Sequence, residues 1–229
     1  GRSANRGIGI NERGKGYYAD IKNISLNNLI ISAPYNAGGI IGLGGVTNYA
    51  VNDLKHSNSS ANFFAAHFTN CELKNVKIYS SQNAGGLFGW SASSNQNLNP
   101  NNVVENCTAR GITVQKDKDD YCSDSAGVFL GKCDGSLTVS ASSIKDSSVQ
   151  ANYAGMLSGQ IRDNNNNRTL EIEDTTVSDT SSINAKSHAG GFVGYSTVPS
   201  TIGYSTVSDV SITANIAGGL IGELTKDSD

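Results

Sequence analysis

Apolar and polar residues alternate along this chain in short bursts. Asn75-Val76-Lys77-Ile78, Gly111-Ile112-Thr113-Val114 and Asp209-Val210-Ser211-Ile212 each put an apolar side chain at every second position, the period of a strand with one buried face. A second set lies upstream of these and of other segments: Asn23-Ile24-Ser25-Leu26, Asn70-Cys71-Glu72-Leu73, Asn106-Cys107-Thr108-Ala109, Asp146-Ser147-Ser148-Val149, Asp174-Thr175-Thr176-Val177 and Tyr204-Ser205-Thr206-Val207. Each reads as a short strand leaving a bend, with Asn or Asp at the bend except at Tyr204. One stretch suits a short helix instead: "SSANFFAAHF", residues 59–68, with Ser59 or Ser60 as its cap.

A stronger signal is a segment that recurs six times. Ala37-Gly38-Gly39-Ile40-Ile41-Gly42 is followed by equivalents starting at Ala84, Ala126, Ala154, Ala189 and Ala217. The pattern is A-G-x-φ-x-G, where φ is a large apolar residue. The alanines are 47, 42, 28, 35 and 28 residues apart, so insertions of varying length sit between structurally fixed motifs. With the two bursts upstream, each repeat offers about three short strands. Three short strands cannot bury their own apolar faces, whereas stacked copies share a continuous core. A spacing of 28 residues is too short for a four-stranded propeller blade. The pattern therefore predicts an all-β fold, a right-handed parallel β-helix (solenoid) of about six coils with loop insertions, as one repeat domain over residues 1–229.

Stacking puts equivalent residues roughly 4.8 Å apart. Asn23, Asn70, Asn106, Asp146 and Asp174 would then form a polar ladder at one bend, where Asn and Asp tolerate the left-handed conformation. Cys71 and Cys107 fall on one rung position, as stacked free thiols or as an inter-coil disulfide. Cys122 and Cys133 bracket the third motif, and their pairing is an open alternative that requires an oxidising compartment. Strict alternation would also send one residue of each apolar pair, such as Ile40 and Ile41, outward. The resulting apolar row would need a loop, a partner or a second chain to cover it.

Composition supports the class. Charged residues are 16% and apolar residues 37%, with 26 glycines, which is poor helix material. A net charge of −3 with no basic stripe gives no footprint for nucleic acid. No apolar run of about eighteen residues is present to span a membrane.

Gly86-Leu87-Phe88-Gly89 and Gly219-Leu220-Ile221-Gly222, within their longer A-G-G-L-x-G segments, resemble the GLUG motif, named for its Gly-Leu-any-Gly core. Copies three and four depart from it, with Val128 and Met156 in place of the second glycine. The GLUG motif is found in bacterial surface proteins, including adhesin-like proteins and N-terminal regions of immunoglobulin-A-specific metallopeptidases. The resemblance implies a secreted or cell-surface β-helical region, a fragment of a longer protein, and implies no activity by itself.

The residues that could carry chemistry point the same way. "AGVFLGKC", residues 126–133, lacks the spacing and the Ser or Thr of a P-loop. His56, His67 and His188 sit in no H-E-x-x-H frame. "QKDKDD", residues 115–120, reads as a solvated loop with at most a weak Ca²⁺ contact. No cofactor and no metal is expected. Candidate binding residues are Phe63, Phe64 and Phe68 in the longest insertion, which would otherwise cover the core. Trp90 and Tyr195 join them, at a motif position filled elsewhere by Leu43, Lys132, Gln160 and Glu223, a mixture that suggests exposure. The expected function is non-catalytic: an adhesin-like stalk or binding surface for a host glycan or host surface protein, able to self-associate through an apolar sheet face. The alternative is a carbohydrate-active enzyme of the polysaccharide lyase or hydrolase type, as such enzymes also use β-helices.

Overall fold

A computed structural model describes residues 2–3, 17–44, 64–92, 100–116, 120, 122–162 and 168–225. Every regular element among them is a strand, and every strand ladder is parallel. Six coils stack in sequence order: residues 17–44, 64–91, 101–133, 136–161, 170–196 and 200–224, numbered here 1 to 6. The chain is a parallel β-helix. Each coil has four or five short strands where the sequence suggested about three. In coil 2 they are Phe64–Thr69, Glu72–Lys74, Lys77–Ser80, Asn83–Gly85 and Phe88–Ser91. The third and fourth merge in coils 4 and 5 into Ser148–Gly155 and Ser181–Gly190. Stacked coils give four sheets, here the first to the fourth in the order the chain meets them, and the merged strands make the third the widest.

The core is a set of rungs, each one residue deep per coil. Ile21, Phe68, Val104, Val139, Ile172 and Ile202 are paired in register along the first sheet. Leu26, Leu73, Ala109, Ile144, Val177 and Val207 do the same along the second. Ile31, Ile78, Val114, Val149, Ile183 and Ile212 line the third. These residues are buried in coils 2 to 5 and only partly buried in the two end coils. Alternation within a strand does the sorting: Leu170–Glu173 points Leu170 and Ile172 inward and Glu171 and Glu173 outward.

Two bends per coil turn the chain from the first sheet to the second and from the second to the third. Asn23, Asn70, Asn106, Ala141, Asp174 and Tyr204 hold positive φ at the first bend. Asn28, Asn75, Gly111, Asp146, Asp179 and Asp209 hold it at the second. The expected Asn ladder forms in the first three coils, where Asn70 Nδ2 donates to Asn23 Oδ1 at 3.2 Å and Asn106 Nδ2 to Asn70 Oδ1 at 2.6 Å. Asp146 belongs to the second bend, contrary to the ladder expected from sequence, and coil 4 uses Ala141 at the first. Alanine is disfavoured in that conformation and carries no sequence signal for it. The helix expected over residues 59–68 is also corrected. Phe64–Thr69 is a strand, because its pairing with Tyr17–Lys22 and Asn101–Glu105 overrides local helix propensity; residues 59–63 lie outside the described residues.

The residue after the first bend makes a second kind of ladder. The Cys71 N–H donates to Cys107 Sγ at 3.4 Å and the Cys107 N–H to Ser142 Oγ at 3.1 Å. Each side chain returns its own proton to a carbonyl two residues earlier: Ser142 to Ser140 at 2.7 Å and Cys107 to Glu105 at 3.3 Å. Thiol and hydroxyl are interchangeable here because both accept and donate. All four cysteines are free and buried. Cys71 and Cys107 therefore stack as thiols, and Cys122 and Cys133 do not pair. Cys122 opens a third-sheet strand, whereas Cys133 ends a fourth-sheet strand and accepts from Asn102 Nδ2 at 3.3 Å.

The recurring A-G-x-φ-x-G segment is the corner between the third and fourth sheets, where two strands pack backbone on backbone. A Cβ on Gly131 would lie 2.4 Å from Gly89 O and 2.7 Å from Ala84 O. Neither backbone atom can give way without separating two coils. The turn at x-φ also breaks the alternation, so both members of the apolar pair point inward. Leu87 and Phe88, Phe129 and Leu130, and Phe192 and Val193 are all fully buried. The outward apolar row expected from the sequence does not exist, and with it goes the apolar sheet face proposed for self-association.

Two predictions follow from this packing. Gly131→Ala should lower unfolding free energy by about 3 kcal/mol or more, whereas Gly203→Ala, with open space around the added methyl, should stay within about 1 kcal/mol of the parent; urea unfolding compares them. Burial pushes the Cys107 thiol up from its ordinary 9.0 to about 12, with the Cys71 sulfur adding to the shift. The folded state thus favours the protonated thiol, and that stabilisation is complete below about pH 9 and lost as pH rises towards 12. Cys107→Ser, which supplies the hydroxyl that coil 4 already carries, should make stability fall less steeply above about pH 9, by roughly 1 kcal/mol per pH unit.

Candidate functional site

At this corner two rows of side chains flank the glycine contact. One precedes each Ala-Gly: Asn36, Asn83, Ser125, Tyr153, His188 and Ile216. The other follows the last glycine of the motif: Leu43, Trp90, Lys132, Gln160, Tyr195 and Glu223, paired in register along the fourth sheet. Because glycine leaves the strands so close, the rows meet and form a polar and aromatic seam along the solenoid axis. The second row is less exposed than its mixed composition suggested. Gln160 is fully buried, Lys132 nearly so, and Trp90 and Tyr195 are half-buried.

The seam has two centres. In coils 2 and 3, Lys132 Nζ lies 5.1 Å from the Trp90 ring centroid and 2.9 Å from Asp124 Oδ2, while Trp90 Nε1 donates to Asp134 Oδ2 at 2.9 Å. Burial holds the Asp134 carboxyl above the usual range, opposed by the Trp90 hydrogen bond and the Lys132 charge. In coils 4 to 6, Tyr153 stacks on His188 with centroids 5.2 Å apart, and Tyr195 lies 5.6 Å from Tyr153 and 5.4 Å from His188. His188 Nδ1 is 2.6 Å from Ser187 Oγ, its Nε2 hydrogen-bonds Glu223, and the Tyr195 hydroxyl meets Thr225 Oγ1 at 3.2 Å. A register shift between coils 4 and 5 precedes Tyr153 and its partner His188, and such bulges re-aim side chains.

Between the centres, Gln160 Nε2 is buried without a hydrogen-bond partner, and so is Asn83 Oδ1 further along the seam. An unsatisfied buried polar atom costs about 1–3 kcal/mol, so native structures keep few of them, and they concentrate attention on a site.

The sequence-predicted residues separate on this surface. Trp90 and Tyr195 do share a row, but Lys132 and Gln160 intervene, which places them three rungs or about 14 Å apart. Phe68 is fully buried, edge-on to Phe88 with centroids 6.3 Å apart, because it occupies a first-sheet rung; it is a core residue and not a binding one. Phe64 opens its strand, and Phe63 lies outside the described residues. Of residues 115–120, Lys116 and Asp120 form an ion pair at 2.8 Å, and Lys186 lies 4.0 Å from Asp120. Among the described residues no three His, Cys, Asp or Glu side chains gather as for a metal. Tyr153 escaped the sequence reading and His188 entered it only as one of three scattered histidines, although both stand directly before an Ala-Gly, a column that aligning the motifs exposes.

No protein-family model, curated protein or solved structure matches this chain. The seam is therefore read from its own chemistry.

One prediction belongs to it. Trp90 is the single tryptophan, so its fluorescence should titrate with Asp134, at a pH above the ordinary carboxylate value of 3.8. Asp134→Asn keeps an acceptor for the indole and should abolish the transition. Because burial favours the neutral acid, that variant should also be at least as stable as the parent at pH 7.

Proposed function

We propose that this chain is a non-catalytic region of a secreted or cell-surface bacterial protein, of the GLUG-like repeat type, whose solenoid is a stalk and whose seam binds a host glycan. The observation carrying the reading is the seam. It sets three aromatic rings, Trp90, Tyr153 and Tyr195, among amide, carboxylate and ammonium groups on a rigid stack of strands. Sugars present apolar ring faces and many hydroxyls, which such a surface matches by stacking and hydrogen bonding. A host surface protein is the other partner class this reading admits, through the long insertion at residues 45–63.

A glycan array probed with the chain, followed by calorimetric titration of the hits, tests the reading. Tyr195→Ala or Trp90→Ala should weaken binding about tenfold, the loss of one stacking contact of about 1.4 kcal/mol. Deleting residues 46–62, which spares the strand Phe64–Thr69, should leave glycan binding intact. An array without hits, or hits indifferent to both aromatic substitutions, would sink the proposal; hits lost with the deletion would move the site to that insertion.

A second reading, a carbohydrate-active enzyme, draws on the Ser187–His188–Glu223 chain. Glu223 orients the imidazole, and a base at that place would act on a sugar lying over Tyr153 and Tyr195. Reducing-end and unsaturated-product assays decide it, with His188→Ala abolishing any activity if the reading holds.

A further inference from the structure

We infer that the edge where the second sheet bends into the third binds an acidic polysaccharide, through a row of cations that runs along the solenoid axis in coils 2 to 4. Lys74, Arg110 and Lys145 are far apart in the sequence, yet they are Cα partners on successive coils of the second sheet. Their side chains therefore leave one face about 4.8 Å apart. Lys77 stands across the bend, as the first residue of the third-sheet strand of coil 2. Like charges directly opposite one another on paired strands are destabilising, so stability gives no reason to set three in a row. Two of them are relieved by the following coil: Arg110 Nε lies 2.9 Å from Asp146 Oδ2, and Lys145 Nζ lies 3.1 Å from Asp179 Oδ2. The same diagonal from Lys74 ends on Gly111, which has no side chain to offer. Lys77 has Ile30 and Thr113 as its in-register neighbours. The Glu72 carboxylate, on the face of Lys74, accepts from Ser25 Oγ at 3.2 Å. Among the described residues, Lys74 and Lys77 are thus exposed ammonium groups without an ion-pair partner.

The surroundings of the cations select the occupant. Thr108 and Ser143 flank them on the second sheet, and Thr113 and Ser148 on the third, again in register. Hydroxyls as well as charges therefore repeat from coil to coil. A polysaccharide with carboxylate or sulfate groups spaced along it and hydroxyls between them meets that repeat with ion pairs and hydrogen bonds. None of the exposed large hydrophobic residues among those described belongs to coils 2 to 4, so a lipid surface finds no apolar anchor here. The rows beside the bend hold no aromatic ring in these coils, so nucleobases find no stacking platform. With a net charge of −3 the chain as a whole repels a polyanion, which makes such binding a property of this row. The site is separate from the seam at the corner of the third and fourth sheets, and it stands without it.

Calorimetric titration of the full chain with heparin, with neutral dextran and with a single-stranded oligothymidylate tests the site. Heparin should bind and dextran should not, and the heparin affinity should fall at least about tenfold between about 50 and 200 mM NaCl, as expected when two or more cations each release a counterion. Lys74→Gln combined with Lys77→Gln changes two exposed side chains, should leave the fold intact by circular dichroism, and should weaken heparin binding about tenfold or more. Lys22→Gln combined with Lys186→Gln removes the same charge from exposed positions elsewhere and should leave the affinity within about twofold. Trp90→Ala should also leave it unchanged, which separates this site from the seam: a seam that binds nothing leaves the heparin result standing, and the reverse holds too. The inference is overturned if heparin does not bind at about 50 mM NaCl, or if the control pair weakens binding as much as the Lys74 and Lys77 pair. Binding of the oligothymidylate as tight as that of heparin also overturns it, in favour of a nucleic-acid partner.

Discussion

The close approach of two backbones at one corner governs this molecule. Where the Ala-Gly of a third-sheet strand lies against the glycine of a fourth-sheet strand, only small residues fit, because the opposing atoms are peptide oxygens and nitrogens. The corner turns both members of the following apolar pair into the core. It locks the register of neighbouring coils, since the glycines of one coil rest on the backbone of the next. It also draws together the two flanking rows that make the seam, so the packing rule of the scaffold and the geometry of the candidate site have one cause.

The other two corners solve a different problem, how to turn a chain sharply without stranding its amides. Residues with positive φ make the turn, and stacked amide side chains tie successive coils together on the outside. Inside, a side chain that both donates and accepts satisfies an N–H of one neighbour and a carbonyl of its own coil. Cysteine, serine and threonine all meet that need, which explains why thiols in coils 2 and 3 continue a row that coils 4 to 6 fill with the hydroxyls of Ser142, Thr175 and Ser205. The cysteines are core residues here, and the stability of the stack does not depend on bridges.

A solenoid of this kind presents a long flank, and the proposed binding site lies along it. The seam gains from rigidity, since rings held by a paired sheet lose little freedom on meeting a ligand. The insertions at residues 45–63, 93–99 and 163–167 each join a fourth-sheet strand to the first-sheet strand of the next coil. Most length variation falls at that edge; coil 3 adds another insertion between its third-sheet strands Thr113–Gln115 and Cys122–Gly127.

The sequence by itself determined the class, the number of coils and the corner. A backbone contact that admits only small residues stamps the same letters at the same offsets whatever lies between. It also determined that Asn23, Asn70 and Asn106 stack, since a left-handed bend favours Asn. Tertiary structure alone decided four other matters. Residues 64–69 are a strand because their neighbours offer edges to pair with. Asp146 sits at the second bend because coil 4 sets an alanine at the first. Both residues of each apolar pair are buried because a corner interrupts the alternation. Tyr153, Gln160, His188, Tyr195 and Glu223 form one surface because strands from different coils lie side by side, and contacts between coils leave no local pattern in the chain.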